Sequence, residues 1–365
     1  MSASPAGKLP AWTAAVPLLA LLLIAGLSVH LVGVGNAGIL TLAAALLGAS
    51  VFAAVHHAEI LALKLGEPFG SILLAVAVTV IEVGLIVSFL LSGGDGVETV
   101  ARDTIFSAVM IAVNGVVGIS LLVGARRHGE LGFKLDGATA ALAVLGTLAV
   151  LSLVMPKYTV STPAATYSSV QLLFVALASL VLYAIFIRVQ TVKHRDYFLF
   201  GTDDGETEDA ILPSRRLAFV SLALLVLCLI AVVLLAKQLS YPLDKAIDAA
   251  GLPQAFVGVI VAMIVLLPES IAAIKAAVRN KLQVSLNLAL GSAIASIGLT
   301  IPAVAIVSLV VAQPLDLGLP PAQTALLGLT LLIGALTLGT GRTTVLQGAI
   351  HLVICGFFLL VSAVP

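Results

Sequence analysis

The chain has 365 residues, of which 61% are hydrophobic and only 10% are charged. A soluble globular domain carries about 25% charged residues, so this composition excludes an ordinary soluble protein. The formal net charge is zero and 5% of the residues are aromatic, which argues against a nucleic-acid-binding surface. We therefore expect an all-α polytopic membrane protein that contacts the lipid bilayer and has no nucleic-acid partner.

Apolar runs long enough to cross a bilayer recur along the chain. A hydrocarbon core about 30 Å thick needs roughly 20 apolar residues per helix. The first run follows Lys8 and is too long for the core of a signal peptide, so we expect it to be retained. The sequence predicts about eleven transmembrane helices: 12–33, 37–63, 70–92, 104–124, 137–155, 168–189, 216–236, 254–278, 284–312, 322–339 and 344–362.

Lysine and arginine are distributed unevenly between the two ends of these helices. If the N-terminus is cytoplasmic, only Arg102, Lys157, Lys237 and Lys245 of the eighteen basic residues lie on the outer side. Short cytoplasmic loops of membrane proteins carry an excess of positive charge. We therefore predict a multi-pass protein of the cell inner membrane with a cytoplasmic N-terminus and a periplasmic C-terminus.

One polar, acidic segment divides the chain. The predicted organisation is an N-terminal helix (1–36), a first five-helix repeat (37–189), a cytoplasmic linker (190–215) and a second five-helix repeat (216–365). Five is an odd number, so two such repeats in series lie in the membrane with opposite orientation, as in many secondary transporters. The linker is interpreted as a solvated connector or as a cation-collecting, regulatory loop; its acids are Asp196, Asp203, Asp204, Glu206, Glu208 and Asp209.

Two acidic residues lie near the middle of predicted helices, Glu82 in the second helix of the first repeat and Glu269 in the second helix of the second. A charged side chain there costs about 2.5–3.5 kcal/mol, so it is rare without a role. A carboxyl group that alternates between a protonated and a cation-bound state meets the requirement for cation/proton exchange. The alternative is a neutral glutamic acid that is hydrogen-bonded within the helix packing.

Other oxygen-bearing residues surround these positions in the sequence. Pro268 precedes Glu269 and is expected to break the helix and free carbonyl ligands, or only to kink it. Ser292, Ser296 and Thr300 recur every four residues and share one helix face, where hydroxyls bind cations or join helices. The predicted cation- and proton-binding residues are Glu82, Glu269, Ser292, Ser296, Ser107, Thr79 and Asn114, with the two glutamates as metal ligands.

Histidines suggest a route for protons. His56 and His57, together with Glu59, lie near the cytoplasmic end of the second helix, where they predict a proton-accessible vestibule. Asp103 is a further candidate for the proton pathway. His30 and His351 are interpreted as packed or interfacial residues.

The sequence contains no Gly-Lys-Ser/Thr phosphate-binding loop, no HExxH motif and no paired Asp-rich motif of the kind that enzymes carry. The two cysteines lie in apolar runs, and no resident cofactor is expected. A gated cation channel and an intramembrane enzyme are alternatives that these patterns disfavour, because there is no evident filter loop or catalytic motif.

Four segments carry a resemblance to a known family. The run HHAEILALKLGEPFGSILLAVAVTVIEVGLIV (56–87) resembles the first repeat of the calcium/cation antiporter superfamily, in its cation/proton exchanger branch. PESIAAIKAAVRNKLQVSLNLALGSAIASIGLTIP (268–302) resembles the second repeat. RDTIFSAVMIAVNGVVGISLLVGARRHGE (102–130) and GRTTVLQGAIHLVICGFF (341–358) are most similar to bacterial ChaA-type proteins.

This resemblance implies an antiporter that exports Ca²⁺, and in ChaA-type members also Na⁺ or K⁺, against entering protons. The family's cation-binding glutamates correspond to Glu82 and Glu269, and its Gly-Ser helix start to Gly291 and Ser292. The sequence lacks the Gly-Asn pair that calcium-selective members carry before each glutamate, and Ala295 stands where a glutamine is common. Because Ca²⁺ prefers about six to eight oxygen ligands, a monovalent Na⁺(K⁺)/H⁺ antiporter is the main alternative.

Overall fold

The computed structural model describes residues 9–28, 37–66, 69–91, 96–199, 212–311 and 315–365. Within them, eleven helices are long and apolar enough to cross a membrane, which confirms the predicted all-α polytopic architecture. His30 and the linker acids Asp203, Asp204, Glu206, Glu208 and Asp209 lie outside the described residues.

The described helices follow one another in sequence, and three of the described spans contain a short π turn. In chain order they are α1 (Ala11–Ser28), α2 (Ala37–Leu65), α3 (Phe69–Leu90), α4 (Val100–Met110), α5 (Val117–His128), α6 (Leu135–Ala149), α7 (Ser169–Arg188), α8 (Arg215–Ala249), α9 (Phe256–Val278), α10 (Leu282–Val311), α11 (Pro321–Leu338) and α12 (Val345–Ala363). The π turn Ile111–Val116 joins α4 to α5 as one span, and Val150–Val154 and Val189–Lys193 extend α6 and α7. Two short strands, β1 (Leu131–Gly132) and β2 (Arg342–Thr343), pair antiparallel.

Two of the helix starts are fixed by reciprocal side-chain caps. Ser168 caps α7 and Thr344 caps α12, and the glutamine three residues later in each case bonds back to the cap residue. Such capping boxes satisfy amide donors that have no partner within the helix. The polar residues at these two helix starts therefore define where the spans begin.

The helices form two compact units. Each unit contains helices from both sides of the acidic segment, so the units do not coincide with the two predicted sequence repeats. The first unit contains α1, α2, α3 and α8, and in it α8 packs along both α2 and α3. A Cβ atom at Gly84 in α3 would lie 2.6 Å from Cγ2 of Val233 in α8, so any larger residue would require the Val233 side chain to move. Ser88 Oγ donates to the Gly84 carbonyl at 2.6 Å and lies 3.5 Å from the Val233 carbonyl. Small residues thus bring α3 and α8 together.

The second unit contains α4 to α7 and α9 to α12. In it α10 contacts α4, α5, α6, α7 and α9. The span from Val100 to His128 is the core of this unit, since 83% of the residues in its apolar 18-residue stretch are buried. A Cβ atom at Gly258 in α9 would lie 2.5 Å from the carbonyl carbon of Asp103 in α4. Backbone-to-backbone contact of this kind lets helices pack closely in lipid.

Some predicted boundaries were wrong. The span predicted at 216–236 belongs to α8, which continues to Ala249 and has 35 residues, about 50 Å of helix. Its last part contains Lys237, Asp244 and Lys245, which a search for apolar runs does not detect. Among the described residues, five spans lie between α1 and the acidic segment, and five follow that segment. The assignment of these two sets to sequence repeats stays a prediction, since each compact unit draws helices from both.

Candidate functional site

Glu82 lies in the interior of α3, in the first unit. Its side chain is 2% exposed. Thr79 lies about one turn before it, is also buried, and donates its hydroxyl to the Ala75 carbonyl at 2.8 Å. That bond uses the hydroxyl hydrogen and leaves oxygen lone pairs on Thr79. Helix α3 therefore holds a carboxylate and a hydroxyl at neighbouring positions.

Glu269 lies at the matching place in α9, in the second unit. Counting from Phe69 and from Phe256, each glutamate is the fourteenth residue of its helix. The Glu269 side chain is half-buried. The two glutamates thus recur at one helical position in two different spans.

The expected helix break at Pro268 was wrong, because α9 runs continuously from Phe256 to Val278. A single proline removes one backbone hydrogen bond, here the bond to the Ile264 carbonyl, and the helix continues past it. Ser270 Oγ, two residues later, donates to the Leu266 carbonyl at 2.6 Å. One carbonyl in the turn that precedes Glu269 is therefore left without its helical donor.

Helix α10 supplies the predicted row of hydroxyls. Ser296 and Thr300 are buried, whereas Ser292 is half-buried. Because they are spaced by four residues, all three lie on one side of the helix. Helix α10 packs against both α9 and α4, and Ser107 in α4 is also buried.

Asn114 lies within the π turn between α4 and α5 and is fully buried. Its Nδ2 donates to Thr330 Oγ1 of α11 at 2.9 Å, and its Oδ1 lies 3.0 Å from Nδ1 of His351 in α12. Nε2 of His351 lies 3.2 Å from Thr337 Oγ1, also in α11. These four side chains form a polar chain, the Asn114–His351 network, that joins three spans.

Reasoning from the sequence missed most of this network. His351 was correctly interpreted as packed, since it is 1% exposed, but its partners were not identified. Thr330 and Thr337 are seven residues apart in α11, which places them on one helix face. This spacing was the one feature of the sequence that could have indicated the network. Two threonines in an apolar helix are too common to identify a polar contact on their own.

Asp103 is buried in an ion cluster near the start of α4. Its Oδ1 lies 2.8 Å from Nε of Arg102, and its Oδ2 accepts from Thr99 Oγ1 at 2.9 Å. Arg102 also lies 3.6 Å from Asp316, which pairs with Lys157 at 2.8 Å. The structure therefore places this predicted proton-pathway residue in a network of opposite charges that ties α4 to the segment before α11.

The other predicted proton-pathway residues lie in the first unit. His57 is fully buried, with Nε2 3.4 Å from the Thr13 carbonyl of α1. The His56 ring lies 5.7 Å from the His57 ring and 6.1 Å from the Trp12 ring. Glu59 is exposed on α2. The histidine pair thus lies at the contact between α1 and α2.

Acidic, histidine and cysteine side chains do not cluster in threes anywhere in the described ranges. Ca²⁺, a hard cation, prefers about six to eight oxygen ligands. Any cation held at Glu82 or Glu269 therefore needs hydroxyl, carbonyl or water oxygens in addition to the carboxylate.

Comparison with known proteins gives a family match across most of the chain. A family model described as sodium/calcium exchanger protein matches residues 35–192 and 220–364. The y4hA protein of Sinorhizobium fredii is 53% identical over 356 residues, which cover 98% of this chain and 97% of that protein. The sodium-potassium/proton antiporter ChaA of Escherichia coli is 36% identical over 314 residues, covering 85% of each chain.

Solved structures share the fold at low sequence identity. The structure of native YfkE aligns with a TM-score of 0.73 at 17% identity and covers 97% of this chain and 99% of that one. The structure described as the H⁺/Ca²⁺ exchanger CAX aligns with a TM-score of 0.66 at 17% identity, over 96% and 92% of the two chains.

Proposed function

This chain belongs to the sodium/calcium exchanger protein family and is a cation/proton antiporter, and we propose that it exports Ca²⁺, and also Na⁺ or K⁺, in exchange for protons at Glu82 and Glu269. The family consists of membrane transporters.

The observation that carries this proposal is the recurrence of a mid-span carboxyl group. Glu82 and Glu269 occupy the same position in α3 and α9, whereas the other acids of the described spans lie nearer to helix ends. Asp103, which lies near the start of its span, already pairs with Arg102. An acidic residue in the centre of a span is costly and is retained where it serves an ion or proton path.

One carboxyl group serves both ions because they compete for the same oxygens. A protonated carboxyl group is a poor ligand for a hard cation, and a cation bound at the carboxylate repels an incoming proton by its positive charge. Loading one ion therefore displaces the other, which couples their movements in opposite directions. Thr79 in α3 and Ser107, Ser292 and Ser296 in the second unit are the proposed neutral oxygen donors.

Asn114 is the remaining proposed cation-binding residue. Its Oδ1 faces His351 Nδ1 at 3.0 Å and its Nδ2 donates to Thr330. A carbonyl oxygen has two lone pairs, so Oδ1 retains one for a cation while His351 fixes the orientation of the amide.

Monovalent Na⁺(K⁺)/H⁺ exchange is the second candidate function, and two observations favour it. Val78-Thr79 and Val265-Leu266 precede the glutamates, so no amide side chain lies there to extend the oxygen shell towards what Ca²⁺ prefers. The Escherichia coli relative is also named as a sodium-potassium/proton antiporter.

We test the proposal in vesicles that contain the purified protein and an internal pH dye. Addition of Ca²⁺, Na⁺, K⁺ or Mg²⁺ in turn reports which cation drives proton movement. Ca²⁺ is expected to give the largest signal; a response to Na⁺ and K⁺ alone would select the second candidate.

Substitution of the glutamates tests the assignment of the site. Glu82→Gln and Glu269→Gln keep the side-chain size but cannot cycle a proton, so each is expected to abolish cation-driven proton movement. Glu130→Gln is the matched control, because Glu130 is exposed on a loop and its only described ion pair, with Arg342, is 3.5 Å long. Normal exchange by either glutamate variant would remove that residue from the site.

A further inference from the structure

A cavity of about 450 Å³ opens in the first unit, where α2 ends and where α3 and α8 begin. Its apolar wall includes Leu61 from α2, Leu73 from α3, and Phe219 and Leu222 from α8. Phe219 is 71% exposed, so a large aromatic face is not covered by the described protein. A concave, apolar, uncovered surface on a membrane protein is filled by hydrocarbon, because water there costs free energy.

Two basic side chains line the same cavity. Lys64 lies in the last turn of α2 and Arg215 is the first residue of α8, and both are exposed. Leu61 lies about one turn further into α2, and Leu222 about two turns further into α8. The positive charges therefore lie at the helix ends, and the apolar wall extends from them towards the centre of the spans.

The positive charge of this cavity is not neutralised by the described part of the chain. None of the described lining residues is acidic. Neither Lys64 nor Arg215 takes part in the four ion pairs found among the described residues. The cavity thus combines the positively charged side chains of Lys64 and Arg215 with an apolar wall that hydrocarbon can contact.

We propose that this cavity binds an anionic glycerophospholipid, with its phosphate between Lys64 and Arg215 and one acyl chain along Leu61, Phe219 and Leu222. Basic pockets between transmembrane helices on the cytoplasmic side attract anionic lipid head groups. The positive-inside distribution places the end of α2 and the start of α8 on that side. The cavity is charged at the helix ends and apolar further into the membrane. A phospholipid in one leaflet has the same arrangement, with its head group at the surface and its acyl chains further in.

Native mass spectrometry of the full-length protein in detergent measures this binding directly and does not depend on transport. The probe is phosphatidylglycerol, and phosphatidylcholine with the same acyl chains is the comparison lipid. Lys64→Gln/Arg215→Gln is expected to weaken phosphatidylglycerol binding by about tenfold or more, because each basic residue near the head group contributes to the affinity. Binding of phosphatidylcholine should be weak in both proteins.

Two further variants separate a specific cavity from general attraction. Arg126→Gln/Arg127→Gln removes two positive charges from the end of α5, in the second unit, and should change phosphatidylglycerol affinity by less than about threefold. Ala218→Trp keeps both charges of the cavity but fills its apolar wall, and it should also weaken binding.

Three results would overturn the proposal. One is an equal loss of affinity in the two double-charge variants, which indicates non-specific attraction. Another is equal binding of phosphatidylcholine and phosphatidylglycerol. The third is a wild-type protein that binds neither lipid; phosphatidylglycerol binding that then appears in a variant whose linker acids are changed to amides would identify the linker as the occupant.

Discussion

The Asn114–His351 network can be assigned one consistent direction of hydrogen bonding. Because Asn114 Oδ1 only accepts, the proton of a neutral His351 lies on Nδ1, and Nε2 then accepts from the Thr337 hydroxyl. Asn114 Nδ2 donates to Thr330, whose hydroxyl lies 3.3 Å from Met110 Sδ. Each polar atom that these contacts involve has a partner, so the network holds the π turn in one arrangement against α11 and α12.

Removal of one hydroxyl from this network is expected to lower stability. Thr337→Val keeps the side-chain shape but leaves Nε2 of His351 buried without its donor, which costs about 1–3 kcal/mol. Thr147→Val is the matched control, because Thr147 is exposed on α6 and bonds only within its own helix. We expect a lower thermal unfolding midpoint for Thr337→Val and a change within about 0.5 kcal/mol for Thr147→Val. Equal midpoints would show that the network does not stabilise the second unit.

The number and type of the spans could be predicted from composition, because a bilayer requires about 20 apolar residues per helix. The extension of α8 beyond Ala236 and the start of α4 at Val100 could not be predicted in that way. Both parts carry charged residues, such as Lys245 in α8 and Asp103 in α4, whose helical structure depends on packing rather than on hydropathy.

The π turn at Ile111–Val116 is a further feature that the sequence did not predict. A π turn changes the register of a helix by one residue, and the apolar composition on both sides of Asn114 gives no sign of it. Its consequence is that Asn114 meets both Thr330 and His351, two residues more than 200 positions away in the chain. The candidate residues could therefore be named from the sequence, whereas their partners required the structure.

The eleven described spans and the distribution of lysine and arginine predict on which side of the membrane each terminus lies. Four basic residues on the proposed outer side, against fourteen on the inner side, set the orientation. In a background with Cys228 and Cys355 changed to alanine, Val364→Cys should react with an impermeant thiol reagent added to intact cells. Thr202→Cys in the linker should react only after the cells are opened. The reverse pattern would invert the topology.

Competition between a cation and protons for the same two carboxyl groups is measured by calorimetry of Ca²⁺ binding as a function of pH. Between about pH 5 and 9, the purified protein in detergent should bind Ca²⁺ more tightly as pH rises, because the carboxyl protons must leave first. If two protons leave for each Ca²⁺, the dissociation constant should fall by up to about a hundredfold per pH unit at low pH; one proton would give about tenfold. Buffer-dependent heats should show matching proton release, and Glu82→Gln and Glu269→Gln should each reduce it. Ca²⁺ affinity that is independent of pH, with no proton released on binding, would contradict the shared site even if both glutamates proved essential for transport.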